Sequence, residues 1–331
     1  RLPSLPLGAF VPWWLNEGDA CPRIIPLTFC RDSMQTFRIA AVSMNGRMGE
    51  MDAVLADVDR YTKIAVEQGA KLVLYPEVLI HGHNTPNTWE LAERVPEGPS
   101  IPKLAVIAKK YGAVLCVGLS EKEDDIVFNT QVLVGPDGYI GKQRKIHMSR
   151  DEALFYKGGR ELPVFDLGFA KVGMVICYDQ MFPELSRILA IRGAEVLLMP
   201  AAARLKTWTD DPTSQQTARR VAANYYLTQI PCRARENATF CVVADQAGLA
   251  GIVSRYPAAS PLQPFHPGGA FIFDPRGDCI ASTQAERIVD DMVVATLDAA
   301  VINDIRSDAN FTLRTRRPEL FEELVREQTK W

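Results

Sequence analysis

From Phe37 onward the chain alternates short apolar runs with amphipathic segments, and turn residues separate them. Phe37–Ser43 reads as a strand, Met51–Gln68 as an amphipathic helix closed by Gly69, and Lys71–Tyr75 as a strand ending in Pro76 and Glu77. Ile101–Lys110 has helical spacing, and Ala113–Gly118 suits a buried strand. Val127–Val134 and Tyr139–Lys145 flank Gly135–Pro136–Asp137–Gly138, the turn of a hairpin. Later come a strand at Ala194–Met199 ending at Pro200, a loop over 201–213, a long helix over Ser214–Arg235 and a strand over Thr239–Ala244. A second hairpin joins Gly269–Asp274 to Asp278–Ser282. Met292–Leu297 is a further strand, and helical segments over 299–307 and 318–327 follow it.

Strands alternating with helices and interrupted by hairpins specify an α/β layered fold with a mixed sheet. The two hairpin turns fall late in each half of the chain, which hints at two sheets of similar layout. No short-period repeat or linker divides residues 36–331, so they read as a single domain. Residues 1–35 are Pro-rich, carry Trp13 and Trp14 and lack a period. They read as an extended arm laid along a surface.

Nearly half of the 331 residues are apolar, enough for a substantial core. Lys plus Arg number 37 against 40 Asp plus Glu, so no basic excess points to nucleic acid or an anionic membrane surface. Seven cysteines, an odd number without a C-x-x-C pair, lie mostly in apolar runs. That argues for a reducing, cytoplasmic setting and against a disulfide scaffold or structural zinc. No apolar run approaches the roughly 18 residues that span a bilayer, and the start lacks a charged and then apolar leader pattern.

The stretch Lys171–Gly193 carries the first chemical signal. An apolar run bounded by glycine leads to Cys177, and Pro183, Glu184 and Arg192 punctuate a helix behind it. Cys177 therefore falls on a tight strand-to-helix turn, where helix amides favour its thiolate. Glu77 and Lys145 have the same address, at or just past a strand end, where sites gather in α/β sheets. A carboxylate, an ammonium and a thiol form the set that acyl transfer needs. His81 and His83 suggest a metal, but the chain holds only four histidines and no third ligand stands at a telling spacing, so neither metal nor cofactor is expected.

With these residues assembled, the chain resembles the nitrilase superfamily of carbon-nitrogen hydrolases over roughly residues 37–325. The resemblance rests on Tyr75–Pro76–Glu77, Arg144–Lys145–Ile146–His147, Cys177–Tyr178–Asp179 with Phe182–Pro183–Glu184, the Arg233–Asn237 segment, Gly269–Gly277, and Arg316–Arg317–Pro318. It implies a four-layer α-β-β-α sandwich with two mixed sheets, and subunits that pair through helices near the site into a homodimer or larger homo-oligomer. It also implies that Glu77 takes a proton from Cys177, which attacks an amide carbonyl, while Lys145 and the backbone N–H of Tyr178 hold the oxyanion. A thioester then forms and is hydrolysed. A second glutamate is implied after the lysine. Glu152 is the assignment, with Asp151 the adjacent alternative.

Tyr178–Asp179 after the nucleophile is similar to the amidase and carbamoylase branches, which favours a small amide or N-carbamoyl substrate over a nitrile. His83, Gln180, Met181 and Arg204 are the expected substrate contacts. Gln180 and Met181 stand where relatives that take carboxylate-bearing substrates carry Arg, which predicts a neutral or cationic tail unless Arg204 reaches in. A nitrilase, an acyltransferase and a non-catalytic binding relative remain as alternatives.

Overall fold

A computed structural model describes residues 34–205, 211–251, 264–283 and 286–326. The arm expected over residues 1–35 lies outside them except for its last two residues. In chain order the elements are β1 (Phe37–Ser43), α1 (Met51–Glu67), β2 (Ala70–Leu74), α2 (Thr88–Leu91), α3 (Ser100–Tyr111), β3 (Val114–Glu123), β4 (Ile126–Gly135) and β5 (Gly138–Arg144). They continue with β6 (Val164–Asp166), β7 (Lys171–Met174), α4 (Pro183–Ile191), β8 (Val196–Ala201), α5 (Pro212–Asn237), β9 (Phe240–Leu249), β10 (Phe265–Phe273), β11 (Cys279–Ser282), β12 (Asp291–Leu297) and α6 (Ala299–Ser307).

The strands form two six-stranded sheets, ordered β12-β1-β2-β3-β4-β5 and β6-β7-β8-β9-β10-β11. Both follow one pattern. An antiparallel edge strand precedes three parallel strands, and an antiparallel pair closes the sheet. The two expected hairpins, β4-β5 and β10-β11, are therefore equivalent parts of the two sheets.

Both faces of each sheet are covered, so the central strands read as continuous apolar runs. Successive residues of a strand face opposite sides, and the core divides accordingly. Ile39 and Ala41 of β1 join Phe240 and Val242 of β9 in the layer between the sheets. Ala40 and Val42 of β1 pack on the other side with Val54 and Val58 of α1 and Leu104 of α3. Cys241 and Val243 of β9 pack outward with Leu189 of α4 and Tyr226 and Ile230 of α5. The result is a four-layer α-β-β-α sandwich.

Several boundaries differ from expectation for local reasons. The long helix begins at Pro212 rather than Ser214, because Asp211 caps it by accepting the Ser214 N–H at 2.8 Å and proline suits the first turn. Ala201 belongs to β8 rather than to the following loop, part of which lies outside the described residues. β10 starts at Phe265, four residues before the expected Gly269; Pro267 and Gly268 interrupt the sequence signal, yet β9 pairs in one register on both sides of Gly268. The expected terminal helix over 318–327 is two 3-10 turns, Pro318–Leu320 and Glu322–Val325. Both turns are exposed, so no packed face draws them into a helix.

Candidate active site

β7 ends at Met174, but Val175 N–H still bonds the Leu198 carbonyl at 2.9 Å before the chain turns at Cys177. Cys177 has φ of +49°, a left-handed conformation that costs a non-glycine residue about 1–3 kcal/mol and clusters at functional sites. A 3-10 turn over Cys177–Met181 follows, and α4 starts only at Pro183.

The expectation that helix amides favour the thiolate is corrected here. Burial and the Glu77 carboxylate push the thiol well above its usual range, with Lys145 opposing them. The resting sulfur is thus protonated, and its use as a nucleophile calls for a base.

Lys145 follows β5 directly and is fully buried. Its ammonium donates to Glu77 Oε1 at 2.7 Å and to both carboxylate oxygens of Glu152 at 2.7 Å. Burial alone would lower the lysine, but Glu152, Glu77 and Cys177 outweigh it and hold the ammonium well above its ordinary value. Burial likewise opposes ionisation of Glu152, yet Lys145 and His83 hold its carboxyl well below the usual range.

Glu77 lies just beyond β2 on a segment that still bonds to β3, through Tyr75 N–H to Cys116 O at 2.8 Å and Ile80 N–H to Gly118 O at 3.0 Å. Its Oε1 takes both Lys145 and the Asn129 amide at 2.7 Å, while its buried Oε2 has no partner. Glu152 sits in a 3-10 turn, Arg150–Leu154, as part of a capping box. The Ser149 N–H and hydroxyl donate to its Oε2 at 2.8 and 2.7 Å. His83 Nε2 meets its Oε1 at 3.1 Å. Asp151, the alternative to Glu152, pairs instead with Arg204.

Cys177 opens into a cavity of about 510 Å3 lined by His83, Gln180, Met181, Arg204, Tyr225 and Tyr226 among others. Gln180 is buried and its amide reaches the Met199 carbonyl at 3.4 Å, whereas Met181 is exposed and its sulfur accepts the Tyr225 hydroxyl at 2.9 Å. The Tyr178 ring is also exposed. The structure adds Asn129, Tyr225 and Tyr226 to the residues expected from sequence. Asn129 had a signal in the polar Asn129–Gln131 interruption of an otherwise apolar strand.

Glu77, His83 and Glu152 offer ligand atoms within 4.8 Å of one another, the single such group among the described residues. The Lys145 ammonium already lies between the two carboxylates, so a metal ion there would have to displace a cation. His81 accepts from Ser120 N–H at 3.0 Å, and burial holds it down at about 4, which leaves the ring neutral.

Residues 38–307 match the family model described as carbon-nitrogen hydrolase. The chain belongs to the carbon-nitrogen hydrolase family. It is 32% identical over 289 residues to a Pyrococcus abyssi protein named nitrilase, covering 86% of this chain and 98% of the relative. A Francisella tularensis protein named citrullinase is 30% identical over 305 residues, covering 88% and 99%. An Arabidopsis thaliana N-carbamoylputrescine amidase is 27% identical over 282 residues, covering 82% and 89%. Among solved structures, a carbon-nitrogen hydrolase from Helicobacter pylori G27 matches with a TM-score of 0.75 at 19% identity, over 88% of this chain and 99% of that one. At that identity the likeness speaks for the fold of this carbon-nitrogen hydrolase. No helix among the described residues is long and apolar enough to cross a membrane.

Proposed function

We propose that this carbon-nitrogen hydrolase cleaves the amide or N-carbamoyl group of a small molecule through a thioester on Cys177. The observation that carries the reading is the division of labour on Glu77. One oxygen is fixed by Lys145 and Asn129, the other is buried without a partner, and the carboxylate lies near enough to Cys177 to raise its thiol. A carboxylate held this way is a ready general base.

In the first half-reaction the thiol proton passes to Glu77, Sγ bonds to the carbonyl carbon, and the oxygen becomes an oxyanion held by Lys145 and the Tyr178 N–H. The oxyanion then collapses, the carbon–nitrogen bond breaks, and Glu77 returns the proton to the departing nitrogen. In the second, Glu77 takes a proton from water, hydroxide attacks the thioester carbonyl, and the released sulfur regains that proton. Glu152 keeps Lys145 charged and in place throughout.

The cavity supports a substrate tail that is neutral or cationic. Arg204 does reach it, but the buried Asp151 answers its charge. Two relatives are named for citrulline and N-carbamoylputrescine; both compounds end in a ureido group and carry an ammonium, and citrulline carries a carboxylate as well. Ureido substrates are therefore the first to try. The relative named nitrilase keeps a second reading, nitrile hydrolysis.

The test is ammonia release from matched amides, ureides and nitriles with carboxylate, neutral and ammonium tails, using Cys177→Ala as control. Release from amides or ureides, lost in the variant, supports the reading. Release from nitriles alone, or a clear preference for carboxylate tails, overturns the corresponding part of it.

A further inference from the structure

Lys145 and Cys177 follow strands of different sheets, β5 and β7, so no ladder hydrogen bond sets the distance between them. A separate set of contacts joins the residues just beyond each. Asp179 is buried, and its carboxylate accepts three hydrogen bonds from the segment after Lys145. Ile146 N–H donates to Oδ2 at 3.0 Å, and His147 donates to Oδ1 from its backbone N–H at 2.8 Å and from Nδ1 at 2.9 Å. The acceptor fixes the His147 tautomer, with the proton on Nδ1. The same ring stacks on Phe182, with centroids 3.7 Å apart and planes 13° from parallel. Phe182 in turn meets Tyr178 edge-on at 5.5 Å and donates its N–H to the Asp179 carbonyl at 3.1 Å. A carboxylate at the second residue after Cys177 thus grips the first and second residues after Lys145, and an aromatic stack covers the grip.

We propose that Asp179 and His147 form a latch that sets the spacing of Lys145 from Cys177, acting as positioning residues that do not touch the substrate. The proposal rests on the reading of Lys145 and Cys177 as partners in one reaction. Asp179→Asn keeps the volume but turns one acceptor into a donor that faces a backbone N–H. His147→Ala removes the ring bond, whereas His147→Asn keeps a donor where Nδ1 stood.

For this chain and an amide or ureide that it hydrolyses, Asp179→Asn is expected to lower kcat about 100-fold, the scale of a 1 Å misplacement, with KM within about threefold. His147→Ala should lower kcat about tenfold and His147→Asn should recover most of it. Melting temperature and the number of titrated thiols establish that each variant is folded. A folded Asp179→Asn with kcat within about threefold of the parent overturns the latch, and so does His147→Asn performing no better than His147→Ala.

An arm that needs no turnover follows alkylation of Cys177 by iodoacetamide against pH, read on its own peptide. Burial and the Glu77 carboxylate raise this thiol and Lys145 lowers it, so a changed spacing of Lys145 from Cys177 should shift the midpoint. An unchanged midpoint in Asp179→Asn and His147→Ala overturns the proposal. If the parent protein hydrolyses nothing, the proposed function falls while the alkylation comparison still decides the latch.

Discussion

Single residues in this site are constrained by charge more than by shape. Glu152 takes the Lys145 ammonium on both oxygens, and without its charge only Glu77 would answer the buried cation. Glu152→Gln is therefore expected to destabilise the fold by about 1–3 kcal/mol, measured by urea unfolding at neutral pH. The pH dependence follows from the direction of the shift. Glu152 is held below its ordinary 4.5, so its contribution is present above that value and fades as pH falls through the native one. The variant should lose less stability than the parent on acidification, and equal acid slopes would count against the assignment. Asp245 behaves oppositely. It accepts from Ala203 N–H and the Tyr226 hydroxyl at 2.8 Å each, yet burial pushes it from 3.8 to about 7. Native stability thus declines as pH rises between those values, because the unfolded chain ionises first. Asp245→Asn should raise the melting temperature relative to the parent at pH 8 and gain less at pH 4; a gain that does not grow with pH contradicts this.

At the scale of elements, the site depends on how closely segments lie against one another. Gly118 in β3 has no side chain because one would stand 2.2 Å from Val78 N and 2.7 Å from the Pro76 carbonyl. Gly118→Ala would push the segment that carries Glu77 off the strand, costing about 1–3 kcal/mol in overpacking. Turnover should fall at least about tenfold even where the fold survives, since Glu77, the proposed base, moves with that segment; a stable variant with parental kcat would refute this. The same scale shows what could be read from sequence. Glu77 and Cys177 were legible because proline and glycine punctuate the strands that lead to them. Glu152 was legible only through the resemblance, which implies a glutamate after Lys145 and did not separate it from Asp151; the Ser149 contacts that fix it come from the folded turn. Adjacent residues of a 3-10 turn point about 120° apart, so the two carboxylates reach different cations. For Asn129 the polar interruption of β4 marked the position but not its role, because its partners come from segments 52 and 23 residues away that only the fold brings together.

For the molecule as a whole, the two sheets repeat one layout, and the ends of β2, β5 and β7 converge where they face each other. The resemblance implies subunits that pair through helices near the site, and Ile191 of α4 with Val221 and Leu227 of α5 are exposed apolar residues suited to that. Sedimentation at micromolar concentration is expected to give a dimer or larger; a monomer would contradict it. The central claim is that this framework serves a covalent reaction at one sulfur. The most direct test is the mass of the protein, acid-quenched during turnover of an amide or ureide and then mapped by peptide. The account predicts one acyl or carbamoyl adduct on Cys177, absent from Cys177→Ala along with ammonia release. Steady turnover by Cys177→Ala, or an adduct on any other residue, would contradict it.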